Sequence, residues 1–411
     1  FWFASVFGSH LKEAAAFRAA LERYALKGSA RVSASISGWP GRFKFSKTHL
    51  RLRDLEARFG NWRFARGDAD ITASDDFASL AVTLSQGAIN AFSNTFSDIT
   101  LSLKVVKRDL RVDYLSLRWA DSKVRLRGRV LNLPDPKEVL VSGTIDRLQW
   151  EKAQELVEGF SSVISTRATS EPATVPGTAK GLWVQTFKYS IPKRFPDTIG
   201  HLSIGTVTHK NFLFEKMDLY WDIRGVTPSL KAANGDLRLA FGPGRVGDIQ
   251  AVQDSHKFLR IVFLPYIYMH KMNSLSVLSA ATAYPKTIDF ARIEAQYGVE
   301  RGLVTTRFCH VDSPQLAAYA DGTMDFGRER VDMNILTRLS SYRAPLPEWW
   351  VDELGRPAIG FRVKGDLNKP DLEPRLHKMA GDEIEKAVED GRRRAKARFE
   401  SLELLQAMEA R

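Results

Sequence analysis

Between Ile99 and Ile145 apolar and polar side chains alternate almost one for one. In ITLSLKV, Ile99, Leu101, Leu103 and Val105 alternate with Thr100, Ser102 and Lys104, the period of a strand buried on one face only. KVRLRGRV sharpens the contrast: Val124, Leu126, Gly128 and Val130 fall on one face and Lys123, Arg125, Arg127 and Arg129 on the other. VLVSGTI continues with Val139, Val141, Gly143 and Ile145. Short turns such as Asp135-Pro136 separate these runs, and sequential one-sided strands favour an antiparallel meander, placed over 29–150.

On either side the period changes. His10 to Tyr24 carries Leu11, Ala14, Ala15, Leu21 and Tyr24 at spacings near 3.6, with Gly28 as a stop, which predicts a helix. Residues 150–164 predict another, and Thr166 to Gly181 is a Ser/Thr/Pro/Ala-rich linker with little to bury. Strands resume in HLSIGTVTHKNFLFEKMDLYWDIRG and NGDLRLAFGPG, and GPGRVG at Gly242 to Gly247, glycine-rich but set between strands, reads as a hairpin turn in preference to a phosphate cradle. FLRIVFLPYIYMHKM, Phe258 to Met272, is too short and too interrupted by Arg260 and Pro265 to span a bilayer. It reads as a core helix or as an amphipathic element at a mouth or membrane surface.

RIEAQYGVERGLVTTRFCHVDSPQLAAYADGTMDFGRERVDMNILTRL predicts four strands, with turns at Glu300-Arg301-Gly302, Asp312-Ser313-Pro314 and Gly327-Arg328-Glu329. Asp382 to Arg411, with Ile384, Val388, Ala395, Phe399, Leu402 and Met408 among many charges, predicts a closing helix. The order is helix, sheet, linker, sheet, helix, divided as 1–28, 29–150, 151–181, 182–375 and 376–411. The fold class is mainly β, with long antiparallel sheets of about 14 strands in all and a few flanking helices.

Composition narrows the function. The 411 residues are 44% apolar, enough to fill a core. Lys and Arg number 60 against 48 Asp and Glu, a net charge of +12, which suits an anionic partner: a phospholipid surface, an acidic polymer or nucleic acid. The basic row on KVRLRGRV is either a solvated face or a cationic strip for phosphate groups. No aromatics interleave with it, so nucleic acid is not an expected partner. The opening FWFASVFG, with Phe1, Trp2, Phe3, Val6 and Phe7, suits the tail of a transmembrane helix or of a signal segment.

The sequence offers little catalytic chemistry. There is one cysteine, Cys309, and no HExxH pair, GxSxG elbow, Walker loop or GxGxxG that opens a helix after a strand. Cys309 and His310 are neighbours on a predicted strand and so point to opposite faces, which disfavours a nucleophile and base pair. No enzyme, metal or cofactor is expected.

FLRIVFLPYIYMHKM followed by the hairpin RIEAQYGVERGLVTTRFCHVDSP, the strand pair LAAYADGTMDFGRERVDMNI and the closing phrase FRVKGDLNKPDLEP resembles the C-terminal region of the AsmA superfamily of Gram-negative envelope proteins. The likeness covers about Lys257 to Pro374. Ser29 to Trp150 agrees more loosely, through ISGWPGRFKF, KVRLRGRV and VLVSGTI. The resemblance implies an inner-membrane helix followed by long, curved, taco-like sheets in the periplasm. These enclose a β-groove along which phospholipid acyl chains pass toward the outer membrane. Larger members have several times more strand.

Two functions follow from different classes. The first is lipid binding and transfer without catalysis. Its groove residues are Leu101, Leu103, Val124, Leu126, Val130, Val139, Val141 and Ile145 in the first sheet, and Val304, Phe308, Leu316, Met324, Phe326, Val331, Met333 and Ile335 in the second. Each serves equally well as core. The alternative is a structural or assembly factor of the envelope whose sheets pack dry. The expected partners are phospholipids, the inner membrane through the N-terminal helix, and a second envelope protein or further copies of the chain, met at open sheet edges or along the apolar stripe of the closing helix.

Overall fold

The computed structural model describes residues 25, 27–39, 42–59, 62–74, 79–133, 135–156, 195–227, 231–247, 287–325, 328–340, 348–367, 369–375 and 377–395. The opening segment and first predicted helix, the linker Thr166 to Gly181, the stretch Phe258 to Met272, Phe326 and the closing helix beyond 395 lie outside them. The chain is mainly β and divides into two units, Phe1–Ser162 and Val163–Arg411.

The first unit is a meander of β1 (Lys27–Trp39), β2 (Arg42–Phe59), β3 (Trp62–Ala73), β4 (Ser79–Ala91), β5 (Asn94–Val106), β6 (Asp109–Trp119), β7 (Ser122–Leu131) and β8 (Glu138–Gln149). Each strand pairs antiparallel with the next, and a helix, α1, follows at 150–156. Where one strand carries an extra residue the ladder bulges, and a polar side chain takes the strained position. Lys47, Asp54, Gln86 and Asp98 sit at such steps with φ of 51°, 51°, 54° and 51°. Bulges bend a strand and raise its twist while the apolar face on either side keeps its orientation.

The second unit is built from β9 (Asp197–His209), β10 (Phe212–Arg224), β11 (Asn234–Phe241), β12 (Gly244–Val246), β13 (Ile288–Phe290), β14 (Arg292–Glu300), β15 (Leu303–Asp312), β16 (Leu316–Asp325), β17 (Arg330–Leu339), β18 (Ala358–Asp366) and β19 (Pro370–Pro374). Among the described residues there are nineteen strands against the fourteen or so expected, in part because β11–β12 and β13–β14 are each one line of strand broken in two. The pairing order is β9-β10-β11-β14-β15-β16-β17-β18-β19, all antiparallel.

Gly242 and Pro243 do not make a hairpin turn, against the sequence reading. β11 and β12 both run beside β10, and the Gly242 amide donates to the Glu215 carbonyl at 2.8 Å, so the strand continues in one direction across a break. Proline lacks the N–H of an unbroken ladder, and here its carbonyl accepts from Glu215 N instead. β13 and β14 form the matching broken strand opposite.

A helix at 383–395, α2, lies on one face of this sheet. Its Ile384, Val388 and Ala395 pack with Phe308, Tyr319 and Leu336 of β15, β16 and β17. The apolar stripe of the described turns is thus covered by the chain's own sheet rather than left for a partner. Polar contacts fix its ends. Arg338 and Arg356 both donate to the Gly381 carbonyl, at 3.1 and 2.9 Å. Arg338 also forks onto Glu385 at 3.0 and 2.6 Å, and Arg392 donates to Glu294 at 3.0 and 2.6 Å.

Gly391 is the point of closest approach, since a Cβ there would lie 2.8 Å from Phe308 Cβ. Gly391→Val should therefore lift the helix and destabilise the unit by roughly 1–3 kcal/mol. Glu389→Ala on the exposed face should change stability by under about 0.5 kcal/mol. Urea unfolding of the two variants checks the contrast.

Candidate functional site

The pleat puts residues directly opposite one another on the same face. In the first unit this aligns the predicted apolar positions of β5, β7 and β8 with others into rows, two of which cross every strand. One row runs Val32, Leu50, Ile71, Val82, Leu103, Val112, Gly128, Val141; a second runs Ala30, Leu52, Ala69, Leu84, Leu101, Leu115, Leu126, Gly143. A third joins Thr48, Ala73, Leu80, Val105, Leu110, Val130 and Val139. Leu117, Val124 and Ile145 begin a fourth. All eight residues named from the sequence in this sheet share that face. At about 4.8 Å per strand, seven steps make a row of about 34 Å.

This face is not sealed. Of the eight only Val124 is buried, and Leu101, Leu103, Leu126, Val130, Val139, Val141 and Ile145 are half-buried. Val32, at the β1 end, is 67% exposed. Leu126 leans over Gly143, where a Cβ would collide with it, so small and large residues interleave across β7 and β8.

The second unit differs. Its equivalent face carries Leu239, Ala295, Cys309, Ala320, Ile335 and Phe361 in one row, all shut off from solvent, Ile335 and Phe361 at 0% exposure. Met333, Val331, Met324 and Leu316 lie on it and are buried, and Val304, opposite Met324, is half-buried. Phe214 stacks against Phe212 and tilts against Phe241 and Phe290, with centroids 4.7, 4.9 and 5.5 Å apart.

Phe308 is not part of that face. The ladder between β15 and β16 shifts between Thr306 and Cys309. One extra residue reverses the alternation, so Cys309 takes the inward position and Phe308 turns outward under α2. The sequence gives no sign of this bulge; strict alternation from Val304 puts Phe308 on the wrong side.

The polar chemistry is structural in character. Cys309 is buried beside Tyr297, and burial pushes its thiol up to about 12, which leaves no thiolate for nucleophilic work near neutral pH. His310 faces the other way, as the alternation predicts. It lies opposite Glu294 on β14 and Tyr319 on β16. Arg307, the bulge residue, reaches across Gly298 to pair with Asp236. Among the described residues no group of three or more His, Cys, Asp or Glu side chains could hold a metal ion, and no helix is long and apolar enough to cross a membrane.

His310 carries a pH dependence. Desolvation first, then Arg392, holds its pKa below the ordinary 6.5, against weaker pulls from Asp312, Glu294 and Glu385. Between that lowered value and 6.5 the unfolded chain binds the proton more tightly, so stability is fully present above 6.5 and falls as pH drops through this window. His310→Asn should flatten the decline in urea midpoint measured between about pH 7.5 and 5.5; an unchanged slope would place the titrating group elsewhere. Comparison of the chain with protein-family models, with curated proteins and with solved structures gives no match in any of the three.

Proposed function

We propose that the chain binds phospholipid acyl chains along the apolar face of its first sheet and passes lipid between envelope membranes without catalysing a reaction. The observation that carries this reading is the unsealed apolar face of β1–β8, continuous in register over eight strands. A protein core of this composition is normally closed to solvent. A row of about 34 Å exceeds the hydrocarbon core of a whole bilayer, about 30 Å, so it has room for two acyl chains end to end. The likeness to AsmA-type phrases in 257–374 supports a periplasmic setting with an inner-membrane anchor in a Gram-negative envelope. It also supports a second envelope protein or further copies as the means of extending the path.

One observation favours the assembly-factor alternative for the second unit: its matching face is closed, with Met333, Ile335, Phe361 and Val363 at 0% exposure. A face of that kind holds a fold together and has no room for cargo unless it opens. The lipid path is therefore assigned to the first sheet alone.

Native mass spectrometry and lipid extraction of the purified chain should find phospholipid bound. Leu103→Asp and Leu126→Asp, each placing a charge among acyl chains, should lower bound lipid about tenfold or more with circular dichroism unchanged. Folded variants that keep their full lipid load would remove the face from the path, and a lipid-free wild-type chain would leave the assembly-factor reading standing.

A further inference from the structure

The opposite face of β5–β7 carries a cationic surface that the apolar path does not use. Lys123, Arg125, Arg127 and Arg129 are all exposed along β7. Across the ladder Arg118 lies opposite Lys123, Arg111 opposite Arg129, and Lys104 opposite Arg111. Like charges set directly across from each other destabilise a sheet. Carboxylates relieve only part of this. Asp113 lies 2.9 Å from Arg111 Nε and 3.2 Å from Lys104 Nζ, Asp109 lies 3.2 Å from Arg129, and Asp98 lies 3.4 Å from Arg118. Lys123, Arg125 and Arg127 have no ion-pair partner among the described residues. Arg125 lies between Ser116 and Thr144, small hydroxyl side chains; Arg127 has Ser142 on one side and, on the other, the β6 bulge that carries Asp113 and the exposed Tyr114.

We infer that this strip docks the chain onto an anionic phospholipid surface. The chemistry required is phosphate recognition by arginine forks and a lysine, and three features select a bilayer as its source. The charges lie on β7, an interior strand paired on both sides, so they present a face rather than an edge. Duplex DNA is read by a helix or a narrow two-stranded ribbon that enters a groove. Single strands call for a succession of stacking aromatics; β7 has none between its basic positions, and Tyr114 in the neighbouring β6 bulge supplies a single exposed ring. The docking surface is separate from the apolar face, so it holds whether or not that face carries acyl chains.

The test is sedimentation of the purified chain with vesicles of equal parts phosphatidylethanolamine and phosphatidylglycerol, against vesicles of phosphatidylcholine alone. The wild-type chain should bind the anionic vesicles, lose them as salt rises, and ignore the neutral ones. Each basic residue near such a surface strengthens binding about fivefold, so the triple variant Lys123→Thr, Arg125→Thr, Arg127→Thr should bind about a hundredfold more weakly. Because like-charge repulsion is relieved and threonine suits a strand, its melting temperature should hold or rise. Arg127→Thr alone, expected to lose about fivefold, serves if the triple variant does not fold. Equal binding by wild type and variant, equal binding to neutral vesicles, or preferential binding of a short DNA duplex at the same salt would each overturn the proposal. The same triple variant should keep the wild-type load of co-purifying lipid, which separates a failure here from a failure of the acyl-chain path.

Discussion

Everything in this molecule depends on cross-strand register. Side chains in a strand alternate with a period of two, so a slip of one residue exchanges the apolar face for the polar one. In the first unit that constraint is met across eight strands, and the Leu101, Leu115 and Leu126 row is its clearest trace. The bulges show how the constraint is kept while the sheet bends: each extra residue is absorbed locally, at Lys47, Asp54, Gln86 or Asp98, and the apolar rows resume beyond it. Polar residues occupy these positions because their side chains point to water while the backbone turns through an unfavourable φ.

The two units apply the same pleat to different ends. The second sheet is closed on both faces around β14, whose central residues are buried without a break from Ile293 to Gly298. On one side α2 supplies Ile384 and Val388 and anchors through Arg392 to Glu294. The first sheet has only α1 among its described residues, and its apolar rows keep part of their surface in water. The first sheet's packing therefore stabilises it less than its composition allows, at about 25 cal/mol for each Å² left open.

Much of this was legible in the sequence, for physical reasons that also mark the limits. Alternation in KVRLRGRV and VLVSGTI fixes both faces of β7 and β8, because charged and aliphatic residues cannot exchange places without large cost. The turns between β14 and β17 were equally plain. Two things were not. Phe308 moves to the helix side through a bulge that depends on the fit between β15 and β16 rather than on any residue type. Gly242-Pro243 looks like a turn by composition, yet the β10 backbone spans both sides of it and holds the chain straight. In both places a partner strand distant in sequence decides the outcome, which local pattern cannot reveal. Exposure of the first apolar face belongs to the same class, since alternation marks a face as apolar without saying what lies against it.

β7 concentrates the consequences. One of its faces leaves Leu126 and Val130 half-open, and the other sets Lys123 against Arg118 and Arg129 against Arg111. Either feature lowers the stability of an isolated sheet, and either could be relieved by a single ordinary substitution: a covering apolar residue on one side, a threonine or glutamate on the other. A sequence in which local choices all serve the fold would not hold both in the same ten residues. On the proposed reading the strand is a boundary between two chemically distinct contacts, apolar on one side and anionic on the other, and a phospholipid assembly would supply both.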